Sequence, residues 1–285
     1  MISVPAAASL KMPVAPAGGP WARAENILVV TARPGQESTD LGGALYAFRR
    51  SGAWLGLLCL TRGEASPLNS TRGGRLEAVR PWELQLAAGV LGISSVAVAS
   101  YPDGRLRSYP GSELAERVRR AIRQHRADLL VVTDPEAGHP DDAAVAAAAC
   151  AAARQEGLPV VACTGPGGRG AWMVELGTEA ATARTIQKSA AAAHASQSDG
   201  LPELTRRIDL LDSREYLRWL EPPLRSPEPF GSAVRSNGPA GGPSIEGIPP
   251  QRPMPAPRSS MPPGHSAQDN RARIKGEARH DSPAW

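Results

Sequence analysis

Two short segments hold most of the residues that could do chemistry. One, Ala32-Arg33-Pro34-Gly35-Gln36-Glu37, follows the apolar run NILVVT; the other, Asp134-Pro135-Glu136-Ala137-Gly138-His139-Pro140-Asp141-Asp142, follows DLLVVT. An imidazole and two carboxylates at one helix start are groups that could move a proton or hold a cation. The same residues also suit a plain helix start, with His139 capping the turn and Asp141 and Asp142 facing the positive end of the helix dipole. Read alone, the segment leaves both possibilities open.

Four further segments sit in order along the chain: Leu60-Thr61-Arg62-Gly63-Glu64, Arg80-Pro81-Trp82-Glu83 leading to Leu91-Gly92, Tyr101-Pro102-Asp103-Gly104, and His194-Ala195-Ser196-Gln197. With the two segments above, this ordered set resembles the LmbE/PIG-L family, whose first strand ends in an A-H-P-D-D-E motif and a later strand in H-P-D-H. The resemblance covers about residues 25–220. It implies a zinc-dependent de-N-acetylase fold acting on N-acylated amino sugars or related small molecules.

The resemblance also assigns positions. Zinc is held in the family by the His and second Asp of the first motif and the last His of the second, and these match Arg33, Gln36 and Asp142. Of the three, only Asp142 is an ordinary zinc ligand; an arginine keeps its proton and offers no lone pair. The family's general base matches Gly35, which has no side chain. On the substrate side, Arg80 and Asp103 match groups that hold sugar hydroxyls. His139 matches the group that stabilises the oxyanion or donates a proton, with Asp141 orienting its ring. Each has a structural alternative: a surface arginine, a turn aspartate in Pro-Asp-Gly, a capping histidine.

The elements needed to position these residues are legible as alternating patterns. Short apolar runs predict strands over 26–31, 54–60, 95–99, 128–133, 158–163 and 172–176. Helical spacing predicts helices over 40–50, 76–91, 112–126, with Ser112 as N-cap, and 141–155. Alternation of this kind gives an α/β fold, a Rossmann-like three-layer sandwich around a mostly parallel sheet. Ligands then bind at the carboxyl ends of the strands, where residues 32–38, 61–75, 100–111 and 134–140 connect to the next element. The glycine-rich stretch 164–170 lacks the Lys-Ser/Thr of a phosphate loop and reads as a hairpin or loop.

Composition bounds the rest. The chain has 285 residues and a net charge of +4, with eight basic residues scattered between Arg225 and Arg279. That is a mildly basic tail, which predicts no nucleic-acid partner. Residues 1–24 are rich in Ala, Pro and Gly, and 223–285 in Pro, Gly, Ser and Arg. Both are expected to be loose ends flanking one domain over 25–222. Cys59, Cys150 and Cys163 are too few and too far apart for a disulfide framework. With no apolar run long enough for a bilayer and no signal-peptide pattern, the reading is a cytoplasmic protein. Three functions remain: a catalytically silent relative that binds an N-acylated amino sugar or serves as a partner subunit, an active deacetylase with an atypical site, or an interaction protein working through its Pro-rich tail.

Overall fold

The computed structural model describes residues 21, 23–67, 75–165, 168–198, 206 and 208–223. The expected loose ends therefore lie almost wholly outside the described residues. Of the few residues there that are described, Trp21 is buried and packs its ring against Phe48 and Trp219, with centroids 6.3 and 6.1 Å away.

Five apolar runs form parallel strands: β1 Asn26–Thr31, β2 Trp54–Thr61, β3 Ser95–Tyr101, β4 Leu129–Thr133 and β5 Val160–Thr164. Two antiparallel strands, β6 Trp172–Glu175 and β7 Arg214–Glu221, complete a seven-stranded sheet ordered β3-β2-β1-β4-β5-β7-β6. β1, β2 and β4 read as near-continuous hydrophobic runs because both faces of the sheet are covered.

Alternate residues feed two separate cores. Ile27, Val29, Leu55 and Leu57 pack with Leu45 and Phe48 of α2 (Gly42–Arg50), Leu84 of α3 (Leu76–Leu91) and Ala190 of α6 (Ala180–Ala192). Leu28, Val30, Leu58 and Leu60 pack with Leu114 and Val118 of α4 (Gly111–His125) and Val145 and Ala149 of α5 (Pro140–Glu156). The result is the three-layer α/β sandwich that the alternation implies.

Some details differ from expectation. α2 begins at Gly42, two residues later than expected, because residues 36–39 form a separate short helix, α1 (Gln36–Thr39). Pro110, not Ser112, caps α4, since the helix already starts at Gly111. β7 had no clear period-2 signal. It is nevertheless held firmly: the guanidinium of Arg184 on α6 pairs with the Glu215 carboxylate and donates to the Arg214 carbonyl. Among the described residues, no helix is long and apolar enough to cross a membrane.

The chain runs β1-β2-β3 in one direction along the sheet, then restarts at β4 on the other side of β1. The gap between the carboxyl ends of β1 and β4 is the topological switch point, where a doubly wound sheet opens a crevice.

Candidate functional site

The crevice is built by the turns after β1 and β4. After Thr31 the chain turns sharply at Gly35, whose φ of 103° is costly for any residue with a Cβ. Gln36 then folds its side chain back on this turn. Its Oε1 accepts the backbone N–H groups of Ala32 and Arg33 at 3.0 and 3.2 Å, and its Nε2 donates to Asp142 Oδ1 at 2.9 Å. Arg33 Nη1 donates to the same Asp142 oxygen at 3.1 Å. Two segments more than a hundred residues apart in sequence thus meet around one carboxylate.

Asp142 lies in the first turn of α5. The helix is capped by His139, whose Nδ1 accepts the backbone N–H of Asp141 at 3.2 Å. The Asp141 carboxylate points elsewhere: it is fully buried and accepts the N–H groups of Gly104 and Leu106 at 2.8 and 3.0 Å. The His139 ring is therefore oriented by the main chain of Asp141, while the Asp141 side chain ties α5 to the loop after β3. That tie places Asp103, whose carboxylate accepts Thr61 Oγ1 at 3.3 Å and the Ala65 N–H at 3.1 Å.

Arg80 occupies the back of the crevice and is 1% exposed. Its guanidinium donates to the carbonyls of Gly63 and Pro34, the latter at 2.7 Å, and to Gln197 Oε1, also at 2.7 Å. Most of its donor capacity is thus given to protein acceptors in two loops and in α7 (Ala195–Ser198). Glu83, one turn on, accepts both the N–H and the hydroxyl of Ser196 at 2.6 Å.

A pocket of about 400 Å³ results, with Arg33, Gly35, Gln36, Arg80, Asp103 and His139 in its walls. A second, of about 660 Å³, opens on the other side of Arg33 and reaches Asp142, Asp134 and Glu215. The structure thus gathers the residues singled out from sequence, with Asp141 just behind the first pocket wall.

Two groups had no role assigned from sequence. Glu37 and His194 form a buried pair, 0% and 1% exposed, with Glu37 Oε1 and His194 Nε2 2.6 Å apart. They are the last residue of one quoted motif and the first of another, which was the available signal. Burial pushes the Glu37 carboxyl up, but the charge and hydrogen bond of His194 outweigh it and hold the group below its ordinary 4.5. Glu37 therefore adds stability that is present above its unfolded pKa and fades as the pH falls through the lower folded value. Urea unfolding of wild type and Glu37→Gln at pH 7 and pH 4 should show the stability gap narrowing at the lower pH; a constant gap would mean the pair is electrostatically idle.

The donor set can be tested against a divalent cation. At the three positions where the ligands would converge stand a guanidinium, a carboxamide with its oxygen already taken by two backbone N–H groups, and one carboxylate already accepting from both. Among the described residues, no three His, Cys, Asp or Glu side chains lie together in a cation-holding group. This set does not fit zinc.

Comparison with known proteins places the fold. Residues 28–153 match the profile of the PIG-L family, described as GlcNAc-PI de-N-acetylase. A curated relative, a probable N-acetyl-alpha-D-glucosaminyl L-malate deacetylase 2 from Bacillus anthracis, is 30% identical over 122 residues, 41% of this chain and 54% of its own. The chain thus spans about half the length of that relative. N,N'-diacetylchitobiose deacetylase from Pyrococcus horikoshii superposes with a TM-score of 0.59 at 18% identity, over 71% of this chain and 86% of that one. A conserved protein from Thermus thermophilus gives 0.55 at 22%, over 75% and 100%. GalB, a 4-carboxy-2-hydroxymuconate hydratase from Pseudomonas putida, gives 0.56 at 16%, over 70% and 98%. At such identities the likeness establishes the PIG-L-like architecture alone. A hydratase among the neighbours underlines that the reaction must be argued from the site.

Proposed function

We propose that this PIG-L relative binds a small, N-acylated amino-sugar-like ligand at the switch-point crevice without zinc, and that it does not hydrolyse it as a zinc deacetylase would. One observation carries the reading: Arg33 and Gln36 both donate to Asp142, so a protein cation fills the place where the family resemblance puts the metal. A guanidinium fixed on a carboxylate supplies positive charge and N–H donors to a ligand oxygen. It cannot lower the pKa of a bound water in the way a metal does. With glycine at position 35, no carboxylate stands at the base position to take a proton from such a water. Asp103 and His139, both in the pocket wall, are the polar groups placed to hold ligand hydroxyls.

The test is metal content. Purified protein incubated with excess zinc and passed through gel filtration should carry far less than one zinc per chain by elemental analysis. Stoichiometric zinc would overturn the proposal and restore the reading of an active hydrolase with an atypical site.

A further inference from the structure

The helix that carries Arg80 and Glu83 to the back of the crevice turns an apolar face to solvent. On α3, Trp82, Leu86 and Val90 are 74%, 64% and 42% exposed, three of the five large hydrophobic side chains left exposed among the described residues. They stand four residues apart, so they form one ridge, with Leu86 at its middle and the other two about 6 Å to either side along the axis. From Ala78 to Gly92 the only charged residues are Arg80 and Glu83, and both are buried. On the opposite face of the sheet, α4 shows the ordinary alternative: its outer side carries Arg120 and Arg123, paired with Glu116 and Glu156.

Gly89 adds a second observation. It lies within α3 beside Leu86 and Val90, is exposed, and a Cβ there would meet nothing within 4 Å. Glycine weakens a helix relative to alanine, and the folded chain supplies no contact that requires it at this position. Its missing side chain leaves a hollow bounded by Leu86 and Val90. The ridge thus carries a large knob, Trp82, on one side of Leu86 and a shallow hole on the other.

We propose that α3 pairs with the α3 of a second copy of this chain, antiparallel about a two-fold axis beside Leu86. Rotation about that axis exchanges the two ends of the ridge. Each Trp82 ring then enters the hollow at Gly89 and Val90 of the other copy, and the two Leu86 side chains meet. Ridges of this spacing interdigitate with the helix axes about 50° apart. The neutrality of the face suits a copy of itself, since identical charged faces would repel. It suits an anionic lipid surface poorly, because the stretch from Ala78 to Gly92 exposes no basic residue. An interface one helix wide is smaller than the about 800 Å² per partner of a standard one, so a micromolar dissociation constant is expected. The inference is independent of what the crevice binds.

The experiment is sedimentation velocity of the full-length chain from about 1 to 300 μM, a range that brackets the dissociation constant expected of so small an interface. The average mass should climb from the 29.9 kDa of one chain toward twice that value. Trp82→Ala removes the knob and should weaken association about tenfold or more. Gly89→Leu closes the hollow and should do the same, while the melting temperature of the dilute monomer holds or rises, because leucine favours the helix. Leu86 supplies the sharpest test, since a residue at a two-fold axis meets its own copy. Leu86→Lys alone and Leu86→Glu alone should each be monomeric, and an equimolar mixture of the two should associate again. A wild-type chain that stays monomeric over the whole range overturns the proposal and leaves the ridge to a different occupant. So does an association that tightens in Gly89→Leu, which is the mark of unspecific apolar adhesion. A mixture of the two charge variants no more associated than either alone overturns it as well, by placing any dimer contact elsewhere on the surface.

Discussion

Arg80→Met is expected to destabilise the fold by about 3 kcal/mol or more, lowering the melting temperature by about 6–12 °C. The side chain is almost fully buried, and it is the common partner of the Gly63 carbonyl, the Pro34 carbonyl and Gln197. Methionine fills much of the same volume, so the loss comes from buried acceptors left unpaired, each worth about 1–3 kcal/mol. Arg80→Lys keeps the charge but not the planar fork, and should fall between the two. Gly63 gives an independent check. Its φ is 72°, and a Cβ there would lie 2.3 Å from Arg80 Nη1, so Gly63→Ala should be destabilising through the same contact. A melting temperature within a degree or two of wild type for Arg80→Met would show that the loops do not depend on this residue. Arg80 would then be free for the substrate-holding role that the family resemblance assigns it.

The second large effect is a gain. Arg33→His, Gln36→Asp and Asp142→His together should produce saturable, one-to-one zinc binding in calorimetry, where wild type should take up far less than one zinc per chain. The basis is convergence: Arg33 and Gln36 already reach the same oxygen of Asp142. Any variant that keeps Arg33 should fail, because its cation repels a dication and its nitrogens have no lone pair to give. Adding Gly35→Asp would restore the base position as well, with a specific difficulty. There is room for the side chain, but φ is 103°, so the backbone strain costs about 1 kcal/mol or more. The triple variant therefore isolates the cage from the base. If it folds and titrates with no zinc uptake beyond wild type, the three positions do not form a cage and the placement of the site is wrong.

The parallel half of the fold was legible from sequence because its strands are buried on both faces and read as unbroken apolar runs. β7 was not, since Arg-Glu-Tyr-Leu-Arg-Trp-Leu-Glu mixes charges into a strand whose polar residues are satisfied only in three dimensions. Arg218 finds Asp134 at 2.6 Å and Glu215 finds Arg184. α1 escaped notice because four residues after a left-handed glycine carry no helical period. At the site, sequence supplied the cast but not the connections. It placed Arg33, Gln36 and Asp142 by motif position, and the fold brings them together. It could not reveal that Arg80 spends its guanidinium on loop carbonyls, or that Asp141 reaches Gly104 and Leu106. Nor could it pair Glu37 with His194, 157 residues away, because nothing local marks a contact of that range.

The placing of β7 between β5 and β6 has a consequence for how the chain matures on the ribosome. β5 is finished at residue 164 and β6 at residue 175, yet each finds its antiparallel partner only when residues 214–221 have emerged. Until then the growing sheet presents an open, apolar edge at Val160–Thr164 to other nascent chains, the kind of edge that invites mispairing. The interval of some fifty residues between β5 and β7 is thus the stretch of synthesis during which that edge waits for its native partner.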